Sequence, residues 1–187
     1  MTGDGTPGRL HADITGVERI ATARMLLERM RPQDHDELAV LLRDPLISST
    51  LWPGEGEPSE AQLLHILDDK LRHWDRCGFG LWVLRDRATG LVVGRGGLQH
   101  TQVGEGDEVE AGWAIAPARW GEGLATELAN ACTAVAFGQL GFAQIVAFTL
   151  PANRASRRVM EKSGFAYERD VTHKGLVHVL YRASSRR

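Results

Sequence analysis

The chain lacks the residue groupings on which covalent or metal chemistry is usually built. Only two cysteines, Cys77 and Cys132, occur in 187 residues, and they are far apart, without the spacing of a metal site or a disulfide framework. They read as reduced thiols, which gives a cytoplasmic protein as the expected location and no metal as a cofactor. No Ser-His-Asp or Cys-His grouping suggests a covalent enzyme intermediate. No apolar run approaches the ~20 residues needed to cross a bilayer. The segment Met1 to Gly8 has neither the basic start nor the apolar stretch of a secretory signal. Charge of one sign is also missing: 22 basic against 24 acidic residues leave a formal charge of -2, so nucleic acid has no electrostatic case as the main partner.

What remains is an ordinary globular composition, 43% apolar and 25% charged, long enough to bury a real core. Residues 1 to about 18 are rich in Gly, Thr and Pro and are expected to be poorly ordered. Without an internal repeat or a second compositional regime, residues 19–187 read as a single domain. A first helix is predicted from Asp34, three before Glu37 in a capping-box pattern, to about Arg43, where Asp44-Pro45 stops it. Ser59 and Gln62 resemble a second capping box, followed by a stripe of Leu63, Leu67, Leu71 and Trp74. Leu81–Arg85 and Leu91–Leu98 read as a hairpin, and Glu108–Ile115 as the next strand. A long helix is predicted over Glu122–Leu140 with Gly141 as its stop, then a buried strand over Gln144–Leu150. A helix ending at Ser163-Gly164 and a hairpin, Phe165–His173 with Leu176–Arg182, complete the order. The result is β-α-α-β-β-β-α-β-α-β-β, an α/β (α+β) chain with a mixed, mostly antiparallel sheet.

The most informative stretch runs from Ala114 through Pro117, Arg119, Trp120, Gly121, Glu122, Gly123, Leu124, Ala125 and Thr126 to Leu128. It reads as a strand end, a short turn, and two glycines opening an Ala/Leu-rich helix. N–H groups at a helix start have no intrahelical partner, and the helix dipole adds partial positive charge there. Without Cβ atoms at Gly121 and Gly123, an anion can approach the bare backbone, so phosphate or pyrophosphate capture is the chemistry on offer. A Walker A loop would need Gly-Lys-Ser/Thr, which is absent. A dinucleotide fingerprint would need a small residue where Thr126 stands. A plain turn that binds nothing is also open.

Trp120-Gly121-Glu122-Gly123-Leu124-Ala125 is similar to the pyrophosphate loop Q/R-x-x-G-x-G/A of acyl-CoA-dependent N-acyltransferases, with Trp120 where Gln or Arg is usual. Other segments follow in order: Thr22–Met30 looks like a first strand, and Arg31–Asp34 like the start of a first helix. Gly78–Val83 and Gly90–Leu98 resemble the next two strands, and Asn153–Phe165 the N-x-x-S…K-x-G-F block. Together they resemble the GCN5-related N-acetyltransferase (GNAT) superfamily, in the branch that includes ribosomal-protein alanine acetyltransferases. The resemblance covers about Thr22 to Arg182. It implies the acyl-CoA N-acyltransferase fold, acetyl-CoA as co-substrate, and direct transfer to a primary amine: a protein N-terminus, a lysine or a small molecule. A non-catalytic acyl-CoA-binding regulator, or a transferase using another donor such as succinyl-CoA, remain alternatives. Monomer and homodimer are not distinguished.

By the same resemblance, N–H groups from Gly121, Gly123, Leu124, Ala125 and Thr126 would hold the pyrophosphate. Trp113, Ala114 and Ile115 would pair with the pantetheine arm and give the thioester oxygen an oxyanion-type contact. Asn153 would bond the CoA arm, although Asn is also a favoured helix N-cap. Ser156 stands where this branch has a serine proposed to protonate the leaving thiolate, and a local backbone bond is its plain alternative. Many relatives have Tyr where Met160 stands, a departure that removes the usual acid. For the base, Glu110 and Glu108 share one strand face by period two, and Glu110 matches the family's Glu before Gly-Tyr-Trp. Partial burial would raise its pKa, whereas an exposed edge position would not. Arg119, Arg154, Arg157 and Arg158 could meet phosphates or form a solvated face. His100 is a more distant candidate base. Trp52 is expected to border the acceptor site.

Overall fold

The computed structural model describes residues 17–104 and 106–185. Most of the amino-terminal segment expected to be poorly ordered lies outside the described residues. Its last part does not: Val17 is buried, and its carbonyl accepts a hydrogen bond from the Trp82 indole at 2.8 Å.

Eight strands form one sheet: β1 Arg19–Ala21, β2 Met25–Arg29, β3 Leu81–Asp86, β4 Val92–Val103, β5 Gly106–Ile115, β6 Gln144–Thr149, β7 Ala166–His173 and β8 Leu176–Ser184. Their order is β1-β2-β3-β4-β5-β6-β8-β7, and every neighbouring pair is antiparallel except β5 with β6. The helices are α1 His35–Arg43, α2 Pro45–Leu51, α3 Glu60–Cys77, α4 Leu124–Ala134 and α5 Arg154–Lys162.

The expected element order holds, with two additions. β1 is a three-residue strand folded onto β2 through a turn in which the Thr22 N–H reaches the Met25 carbonyl at 2.9 Å. The second addition is α2. Asp44-Pro45 does end α1, but it also starts α2: Pro45 takes the first helical position and the Asp44 carboxylate accepts from the Leu46 N–H at 2.9 Å. The predicted Asp34/Glu37 box does not form. Asp34 turns back to the Arg31 N–H and to Arg85, and Glu37 also pairs with Arg85. The Ser59/Gln62 box forms in both directions. The predicted Glu122–Leu140 helix starts two residues later. It continues past Ala134 only as a wider π turn over Val135–Gln139, in which the Leu140 N–H reaches the Val135 carbonyl.

Two apolar layers sandwich the sheet. On one face Leu98, Ala111 and Ile115 pack with Leu124, Leu128 and Cys132 of α4 and with Met160 and Phe165. On the other, Met30, Leu81, Val83 and Ala114 pack with Leu38, Leu42, Leu63 and Leu67 of α1 and α3. Close seating of α4 depends on Gly96 in β4: a Cβ there would lie 2.6 Å from Leu128 Cδ2 and 2.5 Å from the Gly112 carbonyl. No helix among the described residues is long and apolar enough to cross a membrane.

Candidate active site

The site begins where the sheet stops being continuous. β5 and β6 run parallel but share a single register pair, Glu110 with Val146, and toward their carboxyl ends they have no further pairing. Their closed end is held by Arg182 of β8, which donates to both Glu108 oxygens at 3.0 and 2.8 Å and also binds Glu168 of β7. Beyond Glu110 the gap opens into a cleft of about 970 Å³, bounded by α2, α3, the loop before α4, the start of α5 and the β7–β8 turn.

Strand alternation decides which main-chain groups face this gap. The Ala116 N–H bonds the Val93 carbonyl of β4 at 2.9 Å. Residues two apart share a direction, so Ala114 also spends its N–H and C=O on β4, while those of Trp113 and Ile115 point toward β6. The Ile115 carbonyl already accepts from the Trp120 indole at 2.6 Å. Trp113 is therefore the residue with both groups available in the gap, and Ala114 contributes only its methyl to the wall.

The loop at the mouth is built by glycine. Gly121 and Gly123 both have φ of +82°, in the left-handed region that side chains disfavour, and nothing lies within 4 Å of where a Gly121 Cβ would be. Gly123 is the N-cap of α4, with no side chain capping the helix. The N–H groups of Leu124, Ala125 and Thr126 thus open a helix without intrahelical partners, beside the positive end of its dipole. All of these residues line the cleft.

Two arginines brace the loop from behind. Arg24, in the β1–β2 turn, donates to the Glu122 carbonyl at 2.6 Å and pairs with Glu127 at 2.8 Å. Arg119 binds Glu122 and Asp86. Arg119 thus spends its Nε and Nη1 groups on carboxylates. Arg157 is likewise engaged, with the Tyr181 hydroxyl and the Pro151 carbonyl. Of the arginines named from the sequence, Arg158 and Arg119 line the cleft and Arg154 does not.

At the inner end, Glu110 accepts from the Gln99 side-chain amide at 2.8 Å, and Gln99 in turn accepts from Lys70 Nζ of α3 at 2.8 Å. Arg95 lies on the same face of β4, and its Nε is buried without a hydrogen-bond partner. Glu110 and Arg95 are half-buried and line the cleft. Burial therefore dominates their titration. It raises the Glu110 pKa against the opposing pull of Gln99, Lys70 and Arg95. It lowers the Lys70 pKa, with Arg95 adding to the effect, and lowers the Arg95 pKa to about 10. Glu108, the other carboxylate on this face, is consumed by Arg182.

Asn153 and Ser156 meet the same cleft from α5. Asn153 Oδ1 caps the helix by accepting the Ser156 N–H at 3.1 Å, and its amide N–H₂ has no partner among the described residues. Met160 is buried in the core below them. Trp52 lines the opposite wall, and His100 lines the rim while its N–H donates to His73 Nε2 at 3.0 Å. The sequence reading missed Arg24, Lys70, Arg95 and Gln99. Gln99 had a signal: Val103 pairs with Gly106, and that hairpin register places Gln99 opposite Glu110. The predicted strands stopped short of the turn and hid it.

Residues 24–166 match the family model described as an acetyltransferase (GNAT) domain. The uncharacterized protein YkkB of Bacillus subtilis (strain 168) is 29% identical over 154 residues, covering 82% of this chain and 88% of that protein. A GnaT-family acetyltransferase structure from Bordetella pertussis superposes with a TM-score of 0.77 at 28% identity, over 89% of this chain and 99% of that one. A structure of AAC(6')-Ib in complex with Parmomycin and AcetylCoA superposes with a TM-score of 0.72 over 86% of this chain and 93% of that one; at 20% identity it speaks for the fold alone.

Proposed function

The chain belongs to the GNAT acetyltransferase family, and from that premise we propose that it transfers the acetyl group of acetyl-CoA directly to a primary amine within a ternary complex. The observation that carries this reading is the pairing of an uncapped, glycine-opened helix start with a gap between β5 and β6 that ends on a buried carboxylate. The N–H groups around Gly121, Gly123, Leu124, Ala125 and Thr126 suit a diphosphate. The outward N–H and C=O of Trp113 suit the amide-bearing arm that follows it, and the Asn153 amide is free to bond the same arm.

Glu110 is the proposed base. A carboxylate whose pKa is raised by burial can take a proton from an attacking ammonium more effectively than an exposed one. Gln99 holds one of its oxygens and leaves the other for the amine. As the freed amine attacks the thioester carbon, the carbon–nitrogen bond forms and the carbon–sulfur bond breaks. The thiolate that departs needs a proton, for which Ser156, lining the cleft from α5, is the candidate the family resemblance offers; at position 160 a buried Met stands in place of tyrosine. The ribosomal-protein branch would make the acceptor a protein N-terminus. The walls formed by Trp52 and the β7–β8 turn equally admit a small amine.

Calorimetry with acetyl-CoA and thiol release over a panel of amines test the proposal together. The expected result is binding plus amine-dependent release of CoA. Gly123→Val should lower CoA affinity by about a hundredfold or more, because a β-branched residue disfavours φ near +82° and covers the loop. Unchanged affinity in a folded variant would reject the phosphate assignment, and binding without any thiol release would favour a non-catalytic acyl-CoA-binding role.

A further inference from the structure

We propose that the inner half of the cleft receives a carboxylate carried by the substrate, held by Arg95 and Lys70 while Glu110 faces the reacting amine. This rests on the transferase reading above and narrows its substrate class. Arg95 sits opposite Ala114, in the middle of the sheet, between the cleft and the apolar layer of Met30, Leu38, Leu63 and Leu67. A guanidinium has five donors, yet among the described residues Arg95 forms no ion pair, and its Nε has neither solvent nor partner. Among the same described residues, Lys70 donates only to the neutral Gln99 side chain and has no ion pair either.

The surrounding charges do not settle the balance. Glu110 acts on both cations from beyond contact distance. Asp69, the exposed neighbour of Lys70, also acts on it from beyond contact distance, as a weaker influence than Glu110. Lys174 adds a third positive charge from the β7–β8 turn. A guanidinium cannot shed its proton near neutrality, so leaving one desolvated and unpaired is costly, and an incoming anion relieves that cost. The arrangement suits a substrate with a cationic amine at Glu110 and a carboxylate toward Arg95. Two sources of the carboxylate fit: an amino-acid-like acceptor, or a dicarboxylic acyl group on the donor.

The test measures kcat and KM for wild type, Arg95→Met, Arg95→Lys and Lys70→Met in two arms. One arm compares phenylalanine with phenethylamine, both with acetyl-CoA. The other compares succinyl-CoA with acetyl-CoA on one uncharged-tail amine. In one arm the wild type should prefer the carboxylate-bearing partner by about tenfold or more in kcat/KM. That ratio should collapse in Arg95→Met, mainly through KM, and recover partly in Arg95→Lys. Should Arg95→Met fail to fold, Lys70→Met and inhibition of wild type by succinate against succinamide decide the matter: stronger inhibition by the carboxylate is expected, and equal inhibition overturns the idea. CoA binding and acetylation of neutral amines with no carboxylate preference in either arm would remove the anion subsite and leave the transferase reading intact. Absence of CoA binding would remove both.

Discussion

Glu108 and Glu110 lie two residues apart on one face of one strand, and the fold uses them in opposite ways. Glu108 gives both oxygens to Arg182, at the point where β5, β6, β8 and β7 are drawn together. Glu110 stands at the last paired position before β5 and β6 part, and among the described residues its only direct partner is a neutral amide. The arginines show the same contrast. Arg182 is bound by two carboxylates that raise its pKa, Glu108 foremost, whereas burial lowers that of Arg95. One region closes the sheet with satisfied charge. The other keeps charge under-satisfied at the edge of the cleft.

The sharpest way to break this comparison is to neutralise each carboxylate in turn. Glu110→Gln should cut kcat by about 10²–10⁴-fold and flatten the rise of kcat/KM with pH through the raised pKa of Glu110. It should not lower stability. A carboxyl whose folded pKa is raised contributes most below its unfolded pKa and loses that contribution as pH rises through the folded value. The ionised form therefore costs the folded state, and the amide removes that cost. Glu108→Gln should show the reverse, lower stability with turnover retained. Turnover rates and urea midpoints for both variants check the pair, and equal kinetic losses would erase the distinction.

Next in size is Arg182→Met. Removing one partner of this largely buried pair should destabilise by about 1–3 kcal/mol once its partial exposure is allowed for. Urea unfolding measures it, and an unchanged midpoint would show that the clamp does not hold the strands. The smallest effect concerns His73, buried between the Phe79 carbonyl and the His100 N–H, which suits a neutral ring protonated on Nδ1. Burial lowers its pKa below 6.5. Its contribution is therefore complete above pH 6.5 and is lost as pH falls toward the folded value, because the unfolded chain takes up a proton that the folded one refuses. The loss should be at most about 1.4 kcal/mol per pH unit. His73→Gln should reduce the difference between unfolding free energies at two pH values on either side of that window.

Much of this fold was legible in the sequence because its signals are local. Capping residues, helical stripes and turn glycines act within a few positions, so α3, α4, α5 and the terminal hairpin emerged close to their observed bounds. β1 and α2 were missed because each is short and is fixed by what surrounds it; Asp44-Pro45 carries stop and start signals in the same two residues. The site divided along the same line. Gly121, Gly123 and Glu110 were readable from a turn and a strand period. Gln99, Lys70, Arg95 and Arg24 come together through sheet register and helix docking, which no local spacing records. Arg119 and Arg157 were phosphate candidates by position alone, and spacing did not show the acceptors each also binds, Asp86 and Glu122 for one and Tyr181 and Pro151 for the other.

The brace formed by Arg24 ties distant parts of the chain into one mechanical unit. Its guanidinium grips Glu122 and Glu127 from a bend near the amino terminus, and its own main-chain N–H holds Glu127 as well. Whatever tugs on the first hairpin is transmitted to the glycine loop nearly a hundred positions away. A tag, fusion or truncation that unseats this hairpin would therefore loosen the glycine turn without altering any residue of the turn itself.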